Sequence, residues 1–249
     1  MTTIDRNKHL YIRWFSEHVV LLLAVSIFIG CGRSDKSDTT SKISGPISMM
    51  KHYPISNNSY WEYQWENLRG DRWRGAIGVI GGHQEQGLNV FILADTTEQY
   101  GQNAITRSAY LWDGEGLKHL YRASASRDCT AFRPPRFVIP LKMEMGKPIR
   151  NEYTYEVYSP AGNVNYTGEV RQNQSLIEIG SVEAGGKRWE NCIAVETVWT
   201  DSQSNGNKQT RRKLIWYADG VGPVKIISGI PVNSSSLTGD ATGDLTASH

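Results

Sequence analysis

The sequence is short of charge of one sign, of long apolar runs and of catalytic signatures. Its 27 Lys and Arg against 25 Asp and Glu leave a formal charge of +2, which gives no electrostatic case for nucleic acid or a polyanionic substrate. The apolar run Val19 to Ile29 carries no charge, yet it is about half of the ~20 residues that a helix needs to cross a bilayer. Beyond it no window has the apolar spacing of an amphipathic helix, so an α-rich domain is excluded. There is no Gly-x-Ser-x-Gly elbow and no His-Glu-x-x-His, which removes the local signatures of a serine hydrolase and a zinc protease. What the chain does have is 8 Trp and 12 Tyr at a mean hydropathy of −0.45. That is neither a disordered chain nor a polytopic membrane protein.

The first thirty-one residues set the compartment. Arg6, Lys8 and Arg13 precede the apolar run, and Gly30 and Cys31 follow it. A basic leader, a short apolar core and a small residue are the parts of a secretory signal; an uncleaved anchor is the other reading. A cysteine directly after the small residue, then a polar stretch, resembles a bacterial lipoprotein signal, with Phe28 where that family usually has Leu and with Asp5 and Glu17 in the leader. The resemblance implies that Cys31 is lipidated and becomes the mature N-terminus. Its acyl chains would anchor the protein without a spanning helix, each buried methylene adding ~0.8 kcal/mol. Gly32 in place of Asp implies the outer membrane, facing the periplasm. The chain then divides into a signal peptide (1–30), a flexible polar tether (31–52), a β-rich domain (53–231) and a disordered tail (232–249) made of Ser, Thr, Gly and Asp.

Within 53–231 the apolar period is two. Trp61, Tyr63 and Trp65 alternate with Glu62, Gln64 and Glu66, so one face is aromatic and the other wet. Ten further segments have strand character, from Trp73–Ile80 to Val224–Ser228, and turn formers such as Asp113-Gly114, Gly185-Gly186 and Asn205-Gly206 lie between them. The pattern predicts an all-β domain, one antiparallel meander that closes as a barrel or curls as a half-barrel. The stretch Ser124–Pro135, with Pro134-Pro135, is expected to interrupt it as a longer loop.

Cys129 and Cys192 form an even pair in a chain expected to reach an oxidising space, which favours a disulfide. Such a bond would stabilise the fold by ~4 kcal/mol in the chain-entropy picture. Two separate buried thiols are the alternative.

Three motifs, Tyr53-Pro-Ile-Ser-Asn-Asn-Ser-Tyr-Trp-Glu-Tyr63, Val182-Glu-Ala-Gly-Gly-Lys-Arg-Trp-Glu-Asn-Cys192 and Trp216-Tyr-Ala-Asp-Gly-Val-Gly-Pro-Val-Lys225, resemble a group of β-rich bacterial envelope lipoproteins without assigned activity. The last motif matches at Tyr217, Ala218, Gly220, Val221, Gly222, Val224 and Lys225, whereas Ile55, Ser59, Glu183 and Trp189 depart from the group's pattern. The resemblance implies a β-rich fold, similar at fold level to the half-barrels of lipoprotein carriers, and it carries no catalytic residues.

Local chemistry is thin. His83 in a glycine-flanked turn and His119 on a strand have no partner at metal-ligand spacing, and neither cysteine has one. Asp113 and Glu115 lack the further oxygens of a calcium loop and read as a hairpin turn. Asp219-Gly-Val-Gly222 has no helix after it, so its glycines read as backbone requirements rather than a phosphate cradle. Neither cofactor nor metal is expected. The aromatic residues remain. They either fill the inner face of the sheet or, as Trp61, Tyr63, Trp65, Trp112 and Trp216, line a concave site for a lipid or another envelope component. The basic run Arg211-Arg-Lys213 reads as a solvated strand end or a contact to anionic headgroups. The chain therefore reads as a non-enzymatic, lipid-anchored binding protein. An adaptor that docks on an envelope protein complex through a strand edge is the alternative, and a hydrolase, with a triad assembled from distant residues, is the least supported reading.

Overall fold

The period of two is realised as strands long enough to close a wall. In the computed structural model, which describes residues 45–85, 87–99, 102–124, 126, 128–232 and 239–249, the chain runs β1 (Ile47–Ser48), β2 (Tyr60–Asn67), β3 (Arg72–Glu85), β4 (Leu88–Gln99), β5 (Gln102–Trp112), β6 (Gly116–Ala123) and β7 (Cys129–Pro140). It continues through β8 (Lys142–Met143), β9 (Ile149–Tyr158), β10 (Val164–Ala184), β11 (Lys187–Gln203), β12 (Lys208–Ala218), β13 (Gly222–Ile230) and β14 (Ala241–Ser248). Twelve of these, all but β1 and β8, form a closed antiparallel barrel in which each strand pairs with its neighbours in sequence and β14 returns to β2. The signal segment, Cys31 and the tether up to residue 44 lie outside the described residues.

Inside and outside follow from alternation. On β9, Tyr153, Tyr155 and Val157 are buried and Glu152 and Thr154 exposed; on β10, Val170, Gln172, Gln174 and Leu176 are buried and Glu169, Arg171 and Asn173 exposed. A membrane-spanning barrel needs the reverse, an apolar band facing lipid. These strands instead put their charge outside. Among the described residues no helix is long and apolar enough to cross a membrane.

One end of the barrel is stoppered by the segment before β2. Met49 is wholly buried and its N–H donates to the Leu141 carbonyl at 2.9 Å. Tyr53 stacks on Trp61 with centroids 5.3 Å apart and meets Tyr217 edge-on at 6.0 Å. Around them Leu117, Ile139, Met143 and Leu176 complete an apolar core. A smaller cluster of Tyr153, Tyr155, Val157 and Val170 fills the wall on β9 and β10.

Four expectations are corrected. Of the two closures expected the barrel is the one formed, and the stretch expected to be a disordered tail is instead its closing strand: in β14, Gly243 pairs with Ile226 and Trp65, and Leu245 pairs with Tyr63. The tether ends earlier than 52, since β1 pairs with β8 and Met49 and His52 are buried. The loop expected at 124–135 is largely β7, which pairs with β6 along its length but with β9 only over Cys129–Arg133. Pro134 and Pro135 have no N–H to give the ladder. Past them the side-chain amides of Gln172 and Gln174 donate to the carbonyls of Phe137 and Val138 at 2.9 and 2.8 Å and replace the missing strand partners.

The fourth correction concerns Cys129 and Cys192, which are free thiols. Cys129 stands opposite Tyr158, itself level with Val164 at the start of β10, while Cys192 stands opposite Gly180 near its end. The intervening length of strand is on the order of 50 Å at ~3.3 Å per residue, and a disulfide tolerates a Cα separation of only ~7 Å. Cys192 is fully buried, and burial followed by the nearby Glu190 pushes its thiol pKa up to about 11.

Candidate functional site

The aromatic residues singled out as ligand-lining are taken up by the core. Trp61 is 2% exposed and its Nε1–H donates to the Val221 carbonyl at 2.6 Å; Tyr63 is 1% exposed and its hydroxyl donates to the Pro223 carbonyl at 2.9 Å. Trp216 is buried too and belongs to the same apolar cluster as Trp61 and Tyr63. Trp65 and Trp112 are half-buried against the same core, and Trp65 stacks on Trp73 at 6.1 Å. The filled-core reading of these side chains is the one the structure supports.

The residues that sequence patterning did not single out are a set of polar and charged side chains on the inner face of the wall. Register carries one face round the wall: Asp95 on β4 pairs with Thr106, Tyr110 on β5 with His119, His119 on β6 with Arg136, and Thr197 on β11 with Lys213 on β12. Asp95 and Lys213 influence each other's protonation although four strands separate β4 from β12, so both project inward. Burial, reinforced by Arg136 and opposed by Asp95, lowers the pKa of Lys213 to about 8. Burial likewise raises the pKa of Asp95 against the pull of Arg122 and Lys213. By accessible surface Lys213 is half-buried and Asp95 is exposed. A barrel of twelve strands is wide, since about eight already enclose an interior that side chains just fill.

His119 is fixed within this set. Its ring stacks on Tyr110 at 4.5 Å, and Nδ1 receives a hydrogen bond from Arg136 Nη2 at 2.8 Å. A guanidinium only donates, so Nδ1 is the acceptor and Nε2 carries the proton. Burial first, then Arg136, holds the imidazole well below its ordinary pKa and keeps it neutral. His119 Nε2, Gln174 Oε1 and Asn151 Oδ1 are buried without a partner of normal geometry, an uncommon condition for interior polar atoms. A neutral imidazole whose one basic nitrogen is already occupied has no lone pair for a substrate proton. As placed, His119 cannot serve as a general base.

The other sequence candidates have structural roles. Asp113 Oδ1 accepts from the N–H groups of Glu115 and Gly116 at 2.8 and 3.1 Å, and Oδ2 pairs with Lys118 at 2.7 Å, which makes a hairpin turn. Gly220 and Gly222 have φ of 72° and 106°, and a Cβ on Gly222 would lie 2.7 Å from Trp61 Nε1. His83 is part of β3, opposite Val90, rather than in a turn. The basic run splits: Arg212 turns outward to Glu196 at 2.6 Å, while Lys213 faces the interior. Among the described residues no group of three or more His, Cys, Asp or Glu is placed to hold a metal.

No protein-family model matches the chain, and no curated protein matches it in sequence. Two solved structures have a similar chain path. A presumed lipoprotein from Parabacteroides distasonis ATCC 8503 has 9% identity and a TM-score of 0.49, over 80% of this chain and 98% of that one. A presumed exported protein with a YmcC-like fold from Bacteroides fragilis NCTC 9343 has 10% identity and a TM-score of 0.49, over 79% and 98% of the two chains. At TM-scores below 0.5 neither likeness carries a functional argument.

Proposed function

We propose that this chain is a lipid-anchored protein of the bacterial cell envelope, attached through Cys31 at the outer membrane and facing the periplasm, whose barrel holds a small ligand in its polar interior without acting on it chemically. The observation that carries the binding role is the set of polar groups on the inner face. A barrel interior filled only for stability would be apolar or fully hydrogen-bonded. This one turns Arg136 toward the buried His119 and leaves buried polar atoms, His119 Nε2, Gln174 Oε1 and Asn151 Oδ1, without partners. The anchor reading rests on the order of basic leader, apolar run, Gly30 and Cys31, and the charged outer wall fits a barrel standing in water beside the membrane. Closure of the wall removes the long strand edge that an adaptor would need.

Two measurements on the full chain test the proposal. Metabolic labelling with an alkyne analogue of palmitate is expected to tag the wild type and not Cys31→Ser; equal labelling overturns the anchor. Native mass spectrometry after mild detergent extraction is expected to show a small molecule that leaves on denaturation. A barrel recovered free of any ligand overturns the binding role.

A further inference from the structure

On the outside of the wall two hollows meet at one carboxylate. On β2 and β14, Trp65 and Gly243 turn to the core, so the alternate residues Gln64, Glu66, Thr242 and Asp244 stand on the outer face. The turn between β10 and β11 lies against this face: a Cβ on Gly185 would fall 2.1 Å from the Leu245 carbonyl oxygen, and Lys225 Nζ on β13 donates to the Glu183 carbonyl at 3.0 Å. To one side is a hollow of about 470 Å³ lined by Gln64, Glu66, Arg72, Thr242 and Asp244. To the other is one of about 520 Å³ lined by Glu183, Lys187, Arg188, Lys225 and Asp244. Gly185 and Asp244 border both, so the two form one elongated groove, each half within the ~300–1,000 Å³ of ligand sites. At the junction Asp244 Oδ1 is shielded from solvent and has no hydrogen-bond partner among the described residues, and the Lys225 ammonium stands 3.9 Å away. A shielded carboxylate oxygen in that state is uncommon and is stabilised by any donor that reaches it.

The lining decides what can sit there. Among its described residues Leu68 and Ala184 alone have apolar side chains, so an acyl chain has little surface to bury against. The charges are already matched: Arg72 to Glu66 at 2.6 Å, Arg188 to Glu190 at 2.7 Å and Lys225 to Asp244 at 3.9 Å, while Lys187 lies 3.8 Å over the Trp189 ring. A bare ion therefore gains little. β14 pairs with β13 on one edge and β2 on the other, so a peptide finds no strand edge to extend. What remains is a surface of amide, hydroxyl and charged groups with donors and acceptors side by side. A hydroxyl both donates and accepts, and a molecule made of hydroxyls suits such a surface. We infer that this groove binds an uncharged sugar chain, one of whose hydroxyls donates to Asp244 Oδ1. A neighbouring hydroxyl meets Thr242, and another meets Gln64, whose amide N–H is held by the Trp73 carbonyl at 3.0 Å and whose Oε1 is left to accept. Two hollows in line suit an oligosaccharide better than a single ring. This site lies on the outer wall and does not depend on the interior.

Isothermal titration of the full chain, in a zwitterionic detergent without a sugar headgroup, tests this with maltotriose in one arm, triacetylchitotriose in a second and the capped tripeptide acetyl-triglycine-amide in a third. Saturable binding of at least one trisaccharide is expected. Its affinity should hold within about twofold between about 0.05 and 0.5 M NaCl, because an uncharged ligand leaves salt little to screen. Asp244→Asn, which replaces the charged acceptor by a neutral group, should weaken binding about tenfold. Thr242→Val, which keeps the strand and removes one hydroxyl, should weaken it about threefold. Absence of binding to either trisaccharide, binding of the tripeptide in their place, or an affinity that collapses with salt overturns the inference. Asp244→Asn binding like the wild type overturns it as well. If that variant fails to fold by circular dichroism, Thr242→Val decides: weaker binding supports the inference, and unchanged binding overturns it.

Discussion

Trp65 shows how single residues fix this wall. Its indole lies across both flanking strands, where an added Cβ would fall 2.9 Å from its Nε1 at Gly75 on β3 and 2.8 Å from its ring carbons at Gly243 on β14. The missing side chains make room for one large ring, so a tryptophan contributes the area that two small neighbours do not. Gly243→Ala therefore overpacks the site and is expected to destabilise the chain by about 1–3 kcal/mol, read as a lower urea midpoint with an unchanged m-value. His119 gives a second residue-level expectation. Its pKa is depressed in the folded chain and returns to ~6.5 on unfolding, so below that pH the unfolded chain takes a proton that the folded one refuses. Stability is complete above about pH 7.5 and falls as pH drops through 6.5, with a limiting slope of ~1.4 kcal/mol per unit for one group. His52, also depressed by burial, contributes in the same direction. His119→Gln, which keeps an acceptor for Arg136, should reduce but not abolish the loss between pH 7.5 and 5.5; an unchanged slope would show that His119 is protonated without penalty.

At the scale of elements, the barrel depends on the strand with the least strand-like sequence. β14 reads Ala-Thr-Gly-Asp-Leu-Thr-Ala-Ser, with a single large apolar residue, Leu245, which is 3% exposed against Tyr63. Deletion of residues 241–249 should leave β2 and β13 without their shared neighbour and expose Trp65. The expected outcome is loss of the cooperative thermal transition and strong binding of an apolar dye; a truncated chain that still unfolds cooperatively would show that β2 and β13 can pair directly. The strands with alternating aromatic or β-branched residues, such as Tyr60–Glu66 and Arg211–Tyr217, were legible because their own side chains state the period. β14 was not, because its inward positions are small to suit Trp65, which is far away in sequence. β7 was obscured by Pro134-Pro135, whose missing donors are offset by Gln172 and Gln174, residues that look like ordinary polar positions until the register places them. The inner polar set was hidden for a related reason. Lys213 stands in a basic run and Asp95 at the end of an apolar one, and only the closure of twelve strands brings them within electrostatic reach of each other.

For the whole molecule, the proposed attachment raises the question of what could hold a polar-walled barrel to a membrane. The inner faces are apolar or aromatic over much of their area and the outer faces of β2, β9 and β10 carry Glu62, Glu66, Glu152, Glu169 and Arg171. Burying such charges in hydrocarbon costs several kcal/mol each near the midplane, far more than strands without a compensating apolar band can return. A formal charge of +2 gives little attraction to anionic headgroups, each basic residue near the surface contributing only ~1 kcal/mol. On the proposed reading, attachment would rest on the acyl chains expected at Cys31. In fractionated cells the wild-type chain should stay with membranes through high-salt and alkaline carbonate washes, and detergent should release it. The Cys31→Ser chain should lose this carbonate-resistant attachment, partitioning to the soluble fraction if its signal is still cleaved. Retention of that variant through carbonate, with the apolar run removed, would mean that the barrel wall itself enters the bilayer, which the outward charges argue against.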